Sequence, residues 1–252
     1  MPWNRLGIGR KAETPTRFVV VSLPRSGTHM LRSVLNQHPH IRTEIELFNE
    51  YFEPCRERLG RSAEWILENV AWREDSARIR GFTAFLDQGQ PWKLWEHLLT
   101  LKGVRYVCLR RRNLLEQYVS LQEALVHKQW HAVKRREDLP ALHTLRLEPA
   151  AVECFFRSAV MHWNWFERAF ARRPRQTLWY EDLCAHTEVV SRQVQQFLGA
   201  EIVSGLRPET VKVGRRASEL ISNYDELCDY FAGSEHALHF QPASDVQRKK
   251  AA

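Results

Sequence analysis

The sequence predicts an α/β fold, a three-layer α/β/α sandwich with a central parallel sheet. Short runs rich in β-branched residues alternate along the 252 residues with longer segments in which apolar residues recur every three or four positions. The runs are apolar at successive positions, as in strands that helices cover on both faces. Since no linker interrupts this alternation, we expect one domain over residues 17–240, with flexible segments at 1–16 and 241–252.

The strands are predicted from the apolar runs, taken in chain order. The first run, RFVVVSL at 17–23, is the most β-branched and leads directly into a helical segment. Segment 44–52 has no clear period and is predicted as a short helix or a loop. The remaining strands are expected at 80–86, 104–109 and 176–180.

The helices are predicted where apolar residues share one helical face. Ser62 is a suitable N-cap, Pro91 lies near a helix start, and Gly103 and Gly199 follow helix ends. A basic segment without clear period, 129–148, is predicted as a loop or lid. The longest helix carries its apolar face on Val152, Phe155, Ala159, Trp163, Phe166 and Phe170. The predicted helices span 28–37, 62–70, 91–102, 113–127, 149–171, 187–198 and 218–231.

Composition and charge narrow the class of protein. With 37 basic and 30 acidic residues the net charge is +7, which favours anionic partners such as phosphate esters, nucleotides or nucleic acid. No run approaches the roughly 18 apolar residues that a membrane-spanning helix needs. The five cysteines form no CxxC pair, which indicates reduced thiols and a cytoplasmic protein.

The most informative motif is the turn after the first predicted strand. Gly27 lets the backbone approach a ligand closely, and the amides of Gly27, Thr28 and His29 would be donors at a helix N-terminus. Arg25 adds a positive charge and Ser26 a hydroxyl. This is a P-loop-like phosphate site, but it lacks the Gly-Lys-Ser/Thr of the Walker motif, so ATP or GTP chemistry loses its main lysine.

The motif Pro-Arg-Ser-Gly-Thr-His-Met-Leu at 24–31 resembles the 5′-phosphosulfate loop of sulfotransferases that use 3′-phosphoadenosine 5′-phosphosulfate (PAPS). The resemblance implies PAPS as the donor, bound by Arg25, Ser26, Gly27, Thr28 and His29. It also implies that Arg25 stabilises the charge that develops on the bridging oxygen.

A second anion site follows the strand at 104–109. Arg112 and Ser120 are eight residues apart, and Asn113 follows Arg112, as in the second signature of the same family. The resemblance implies that Arg112 and Ser120 bind the 3′-phosphate, a role suited to a guanidinium fork. Arg110 and Arg111 are expected to be a solvated basic patch.

Two further segments resemble the family. The Tyr-Glu-Asp at Tyr180 resembles a segment whose tyrosine stacks near adenine, although a buried core tyrosine is an equal alternative. Near the C-terminus, a basic loop with Lys212, Arg215 and Arg216 precedes Ser-Asn-Tyr-Asp-Glu-Leu at 222–227. In sulfotransferases such a loop closes over the nucleotide, so the resemblance makes these three residues candidate donor contacts.

The candidate general base lies in the segment that follows the first predicted helix. Residues 38–49 resemble the corresponding segment of bacterial carbohydrate sulfotransferases of the Nod-factor and trehalose type, where the glutamate before a hydrophobic pair is the base. The matching residue is Glu46, with Glu44 as the alternative. His29 is expected either to donate to the sulfate or to cap the helix. One departure is Thr83, which stands where the group carries lysine in Gly-Phe-Lys.

The resulting hypothesis is a transferase that moves a sulfuryl group from PAPS to a hydroxyl, or to an amine, of a carbohydrate, glycolipid or small natural product. We expect no metal, no nucleic acid and no membrane span; a homodimer is left open. The alternatives are a nucleotide or small-molecule kinase with a degenerate P-loop, and a basic nucleic-acid-binding protein that the charge alone suggests.

Overall fold

The computed structural model describes residues 15–73, 76–128, 144–209 and 216–241. Most of the predicted lid at 129–148, both predicted flexible ends apart from a few residues, and the candidates Lys212 and Arg215 lie outside these ranges.

The described residues form a five-stranded, all-parallel sheet in the order β2-β3-β1-β4-β5. The predicted parallel α/β fold is confirmed. The central strand β1 pairs on one side with β3 and on the other with β4, so that Ser22 lies opposite Phe85 and Val21 opposite Cys108. The carboxyl ends of these three strands therefore meet at one edge of the sheet, where open α/β sheets bind ligands. The strands are β1 (Thr16–Ser22), β2 (Ile41–Glu46), β3 (Ile79–Phe85), β4 (Val104–Arg110) and β5 (Arg175–Trp179).

Strand β2 corrects the sequence analysis, which predicted a helix or loop from residue 44. Ile41–Glu46 is an edge strand that pairs with β3 alone. Its sequence, IRTEIE, is mostly polar, as suits a strand that has one neighbour among the described strands and is only partly buried. The prediction failed because a polar edge strand lacks the apolar run that marks a buried one.

Ten α-helices are found among the described residues. All seven predicted helical segments contain at least one of them; α8 has the predicted bounds, and the other helices differ from theirs. The helices are α1 (Thr28–Leu35), α2 (Glu53–Arg56), α3 (Ala63–Ile66), α4 (Leu94–Thr100), α5 (Leu114–His127), α6 (Pro149–Ala169), α7 (Tyr180–Ala185), α8 (Thr187–Leu198), α9 (Ala217–Leu220) and α10 (Tyr224–Phe231).

Three predicted helices are divided in the structure. After α3 the chain continues as a π-helical turn, Leu67–Ala71. Lys93, at φ 48°, separates a short 3-10 helix, Gln90–Trp92, from α4. The last predicted helix breaks after α9 because Ile221 forms a parallel bridge with Leu145, a tertiary contact that helical periodicity does not reveal. The chain then ends its described part in a 3-10 helix, Glu235–Phe240.

Two cores cover the two faces of the sheet, as the three-layer prediction requires. Val19 and Val21 of β1 point into one core, and Phe18 and Val20 into the other. Helix α6 contributes Ala159 and later residues to the first core. Earlier on α6, Phe156 instead of the predicted Phe155 is fully buried, in a third cluster with α5, α9 and α10. That third cluster fixes α5 beside the carboxyl edge of the sheet.

Candidate anion-binding site

The turn between β1 and α1 is held in a conformation that glycine favours. Arg25 has φ 65° and Gly27 has φ 90°, so the chain bends sharply before the N-terminus of α1. A Cβ added at Gly27 would lie 2.4 Å from Cδ2 of Tyr180. Gly27 therefore serves both the backbone turn and the close approach of an aromatic ring. The first amides of α1, including Thr28 and His29, face this end of the helix.

Helix α5 supports the turn through Gln117, a residue that the sequence analysis did not single out. The Gln117 amide donates to the carbonyl of Pro24 at 2.7 Å and to the hydroxyl of Ser26 at 3.1 Å. Ser26 is buried, so this hydroxyl is part of the support of the turn. The available signal was the position of Gln117, one turn before Ser120 on the same predicted helix.

The two predicted anion motifs are in direct contact. Nε of Arg25 donates to Oγ of Ser120 at 3.0 Å, across 95 positions of sequence. Burial lowers the pKa of Arg25, and the nearby Arg111 guanidinium lowers it further. A buried cation near a second cation is a favourable partner for an anion.

Arg112 lies at the same edge but is engaged with a carboxylate. Its two terminal nitrogens donate to the two oxygens of Asp182, both at 2.7 Å, in a fork that a phosphate group also fits. This bond raises the pKa of Arg112 and lowers that of Asp182. The Glu181 carboxylate accepts from the backbone amides of Arg112 at 2.9 Å and Asn113 at 3.3 Å, at the start of α5.

Tyr180 begins α7 and lies against the turn. Its ring contacts Gly27, and the guanidinium carbon of Arg111 lies 4.8 Å from its centroid. Burial raises the pKa of the Tyr180 hydroxyl. The segment Tyr180-Glu181-Asp182 thus places successive side chains on the turn, on the start of α5 and on Arg112. The stacking of the Tyr180 ring near adenine stays a prediction.

Arg111 corrects the expectation of a solvated patch. Its side chain is 9% exposed and donates to the carbonyl of Arg25 at 3.2 Å and to Glu116 at 3.0 Å. The neighbouring Arg110 points elsewhere, pairing with Glu167 and lying over Trp163. The three consecutive arginines look alike in the sequence, and their different partners follow from how the chain packs around β4.

Glu46 ends β2 at the same edge of the sheet. Its carboxylate accepts from Nδ2 of Asn49 at 2.9 Å and lies 4.0 Å from Nε2 of His29. Burial raises the pKa of Glu46, with a further increase from the charge of Asp87, while Asn49 and the charge of Arg25 oppose it. The contact with His29, the second residue of α1, places this carboxylate beside the turn.

The other two candidates lie differently. Glu44 forms an ion pair with the buried Arg80 at 3.2 Å, so its carboxylate already neutralises a cation within the sheet edge. Arg216 directly precedes α9, where its backbone amide lies 3.4 Å from Glu219. Lys212 and Arg215 are outside the described residues.

No group of three or more His, Cys, Asp or Glu side chains within the described part of the chain is arranged to hold a metal ion. In the same ranges, no helix is both long and apolar enough to cross a membrane.

The fold is that of an α/β protein in which a parallel sheet leads through a glycine turn to the N-terminus of a helix, an arrangement that suits an anion. A family model described as "Sulfotransferase family" matches residues 16–101, the part that holds the turn and Glu46. This match supports the predicted activity, that of an enzyme that transfers a sulfuryl group.

Similar proteins cover nearly the whole chain. Nodulation protein H of Rhizobium tropici is 28% identical over 237 residues, which are 90% of this chain and 94% of the relative. Nodulation protein H of Rhizobium meliloti is 27% identical over 245 residues, 92% of this chain and 97% of the relative. A solved sulfotransferase from Alicyclobacillus acidocaldarius has a TM-score of 0.52 at 18% identity, covering 93% of this chain and 99% of its own. At this low identity, the similarity to the solved structure shows a shared fold and nothing more.

Proposed function

We propose that this sulfotransferase takes PAPS as its donor and a hydroxyl of a carbohydrate, glycolipid or small natural product as its acceptor. The observation that carries the proposal is the bond between Arg25 and Ser120, which joins the turn after β1 to the helix after β4. The joined site contains the amides at the start of α1, the hydroxyl of Ser120 and the guanidinium groups of Arg25 and Arg112 at one edge of the sheet. This donor set suits a ligand with phosphate groups at two ends.

We propose a distinct role for each part of this set. Gly27, Thr28 and His29 hold the 5′ end through backbone amides at the start of α1, with Arg25 beside them. Arg112 and Ser120 hold the 3′-phosphate. For this, Arg112 exchanges one anionic partner, Asp182, for another, because the same fork serves both.

Bound PAPS supplies the sulfuryl group that is transferred. Arg25 stabilises the negative charge that develops on the bridging oxygen, since its guanidinium is buried beside the turn. Glu46 accepts the proton of the acceptor hydroxyl. Burial raises its pKa and makes it a stronger base than a solvated glutamate, and His29 lies close enough to orient it.

A hydroxyl acceptor is favoured over an amine because a hydroxyl is a weak nucleophile until a base takes its proton, whereas a neutral amine attacks without that help. The similarity of segment 38–49 to bacterial carbohydrate sulfotransferases supports a sugar-like acceptor. All five cysteines are free thiols in the structure, in keeping with a cytoplasmic enzyme.

The test compares nucleotides that differ in one phosphate. Adenosine 3′,5′-bisphosphate, the product left from PAPS, should raise the melting temperature of the purified protein well above any effect of ADP at equal concentration. Transfer of radiolabelled sulfate from PAPS to a panel of sugars, glycolipids and amines then identifies the acceptor class. Equal stabilisation by ADP would overturn the assignment of the donor.

A further inference from the structure

Arg111 is buried behind the turn between β1 and α1, which we call the phosphate turn, and several contacts hold it there. Its Nη1 donates to the carbonyl of Arg25 and its Nη2 to Glu116. Its Nε is buried and has no hydrogen-bond partner among the residues that the structure describes. A buried, incompletely satisfied guanidinium is destabilising, so this arrangement calls for a functional explanation.

The carbonyl that Arg111 holds belongs to the strained residue of the turn. Arg25 is a non-glycine residue at φ 65°, a backbone conformation that persists only when its surroundings enforce it. Gln117 holds the preceding carbonyl, that of Pro24. Two side chains from the β4–α5 connection and α5 therefore hold consecutive carbonyls and leave the other side of the turn to face a ligand.

Arg111 also supports the glycine end of the turn. Its guanidinium lies over the ring of Tyr180, and that ring contacts Gly27. Arg111 thus reaches both ends of the turn, one through a hydrogen bond and the other through an aromatic ring.

The charge of Arg111 acts on the same place. It lies near enough to Arg25 to lower the pKa of that side chain, while Arg111 itself pairs with Glu116. An anion bound on the turn relieves the repulsion between the two cations, so Arg111 strengthens anion binding without contacting the anion.

We propose that Arg111 is the positioning residue for the 5′ end of the donor: it holds the phosphate turn in its left-handed form and supplies a second positive charge behind it. This proposal rests on the proposed function, in which the turn binds the 5′ end.

The test measures nucleotide affinity by calorimetry for Arg111→Met, Arg111→Lys and the matched control Arg110→Met. Arg111→Met should weaken binding of adenosine 3′,5′-bisphosphate about ten- to a hundredfold, since a charge-assisted hydrogen bond and a buried charge are lost. Arg111→Lys should fall between, because lysine keeps the charge but not the two-pronged geometry. Arg110→Met should stay within about twofold, since Arg110 pairs with Glu167 away from the turn.

Two single-phosphate probes separate positioning from general damage. Arg111→Met should weaken binding of 5′-AMP and of inorganic pyrophosphate but leave 3′-AMP nearly unchanged; equal losses on both monophosphates, or none, would overturn the proposal. If the methionine variant does not fold, wild-type affinity in Arg111→Lys overturns it as well. If the wild-type protein does not bind the bisphosphate but binds pyrophosphate with an affinity that depends on Arg111, the donor assignment alone is overturned. If it binds none of these phosphates, both proposals are overturned.

Discussion

Replacing Gly27 with alanine tests whether the turn depends on its close contact with Tyr180. Two penalties are expected: the left-handed backbone at φ 90° disfavours alanine by about 1–2 kcal/mol, and a Cβ 2.4 Å from the ring adds about 1–3 kcal/mol of overpacking. The free energy of unfolding should therefore fall by about 2–5 kcal/mol, measured by urea titration followed by tryptophan fluorescence.

Gly205 provides the matched control for that experiment. It has a similar φ of 80°, and no heavy atom of the described part of the chain lies within 4 Å of the added Cβ, so Gly205→Ala should show the backbone penalty alone. In a Tyr180→Ala background the alanine at 27 should cost about 1–3 kcal/mol less than in the wild type, a coupling that a double-mutant cycle measures. Equal losses at positions 27 and 205, with no coupling to Tyr180, would refute the contact.

Three further predictions concern individual side chains. Arg112→Met should weaken binding of adenosine 3′,5′-bisphosphate about tenfold or more while 5′-AMP binding changes little; calorimetry that finds unchanged bisphosphate affinity would remove Arg112 from the site. Glu46→Gln should lower kcat by about a hundredfold or more with nucleotide affinity intact, and it should abolish the acid limb of the wild-type pH profile. That limb should lie above the ordinary range of a glutamate because burial raises this pKa, and undiminished turnover would place the base elsewhere. Burial lowers the pKa of His239 from 6.5 to about 4, so the folded protein binds fewer protons than the unfolded chain between these values. The free energy of unfolding should accordingly fall by up to about 3 kcal/mol as the pH drops through this window. Chemical denaturation should show a smaller loss in His239→Asn, but not in a variant at the exposed His40. An identical pH dependence in His239→Asn would contradict this prediction.

His239 illustrates how the described C-terminal segment supports the site. Its ring nitrogen accepts from the amide of Leu114 at 3.4 Å, and its carbonyl accepts from Asn113 at 3.0 Å. These bonds cap the start of α5 directly after Arg112. The sequence offered no signal for this, because capping by a residue 125 positions away depends on how the third core packs.

Local patterns were sufficient for the features that a short stretch of chain specifies alone. The apolar runs identified four of the five strands, and the glycine motif identified the turn before α1, since helix N-termini and backbone turns depend on neighbouring residues. The spacing of eight between Arg112 and Ser120 indicated the second motif for the same reason.

The tertiary structure decided which of several similar side chains takes part. Arg111 is buried at the turn, whereas Arg110 pairs with Glu167, and Glu44, unlike Glu46, forms an ion pair with Arg80. The mostly polar segment Ile41–Glu46 is a strand because it pairs with β3. Burial and pairing depend on groups distant in sequence. The desolvation that raises the pKa of Glu46 and the bond between Arg25 and Ser120 exist only once the sheet brings its strand ends together.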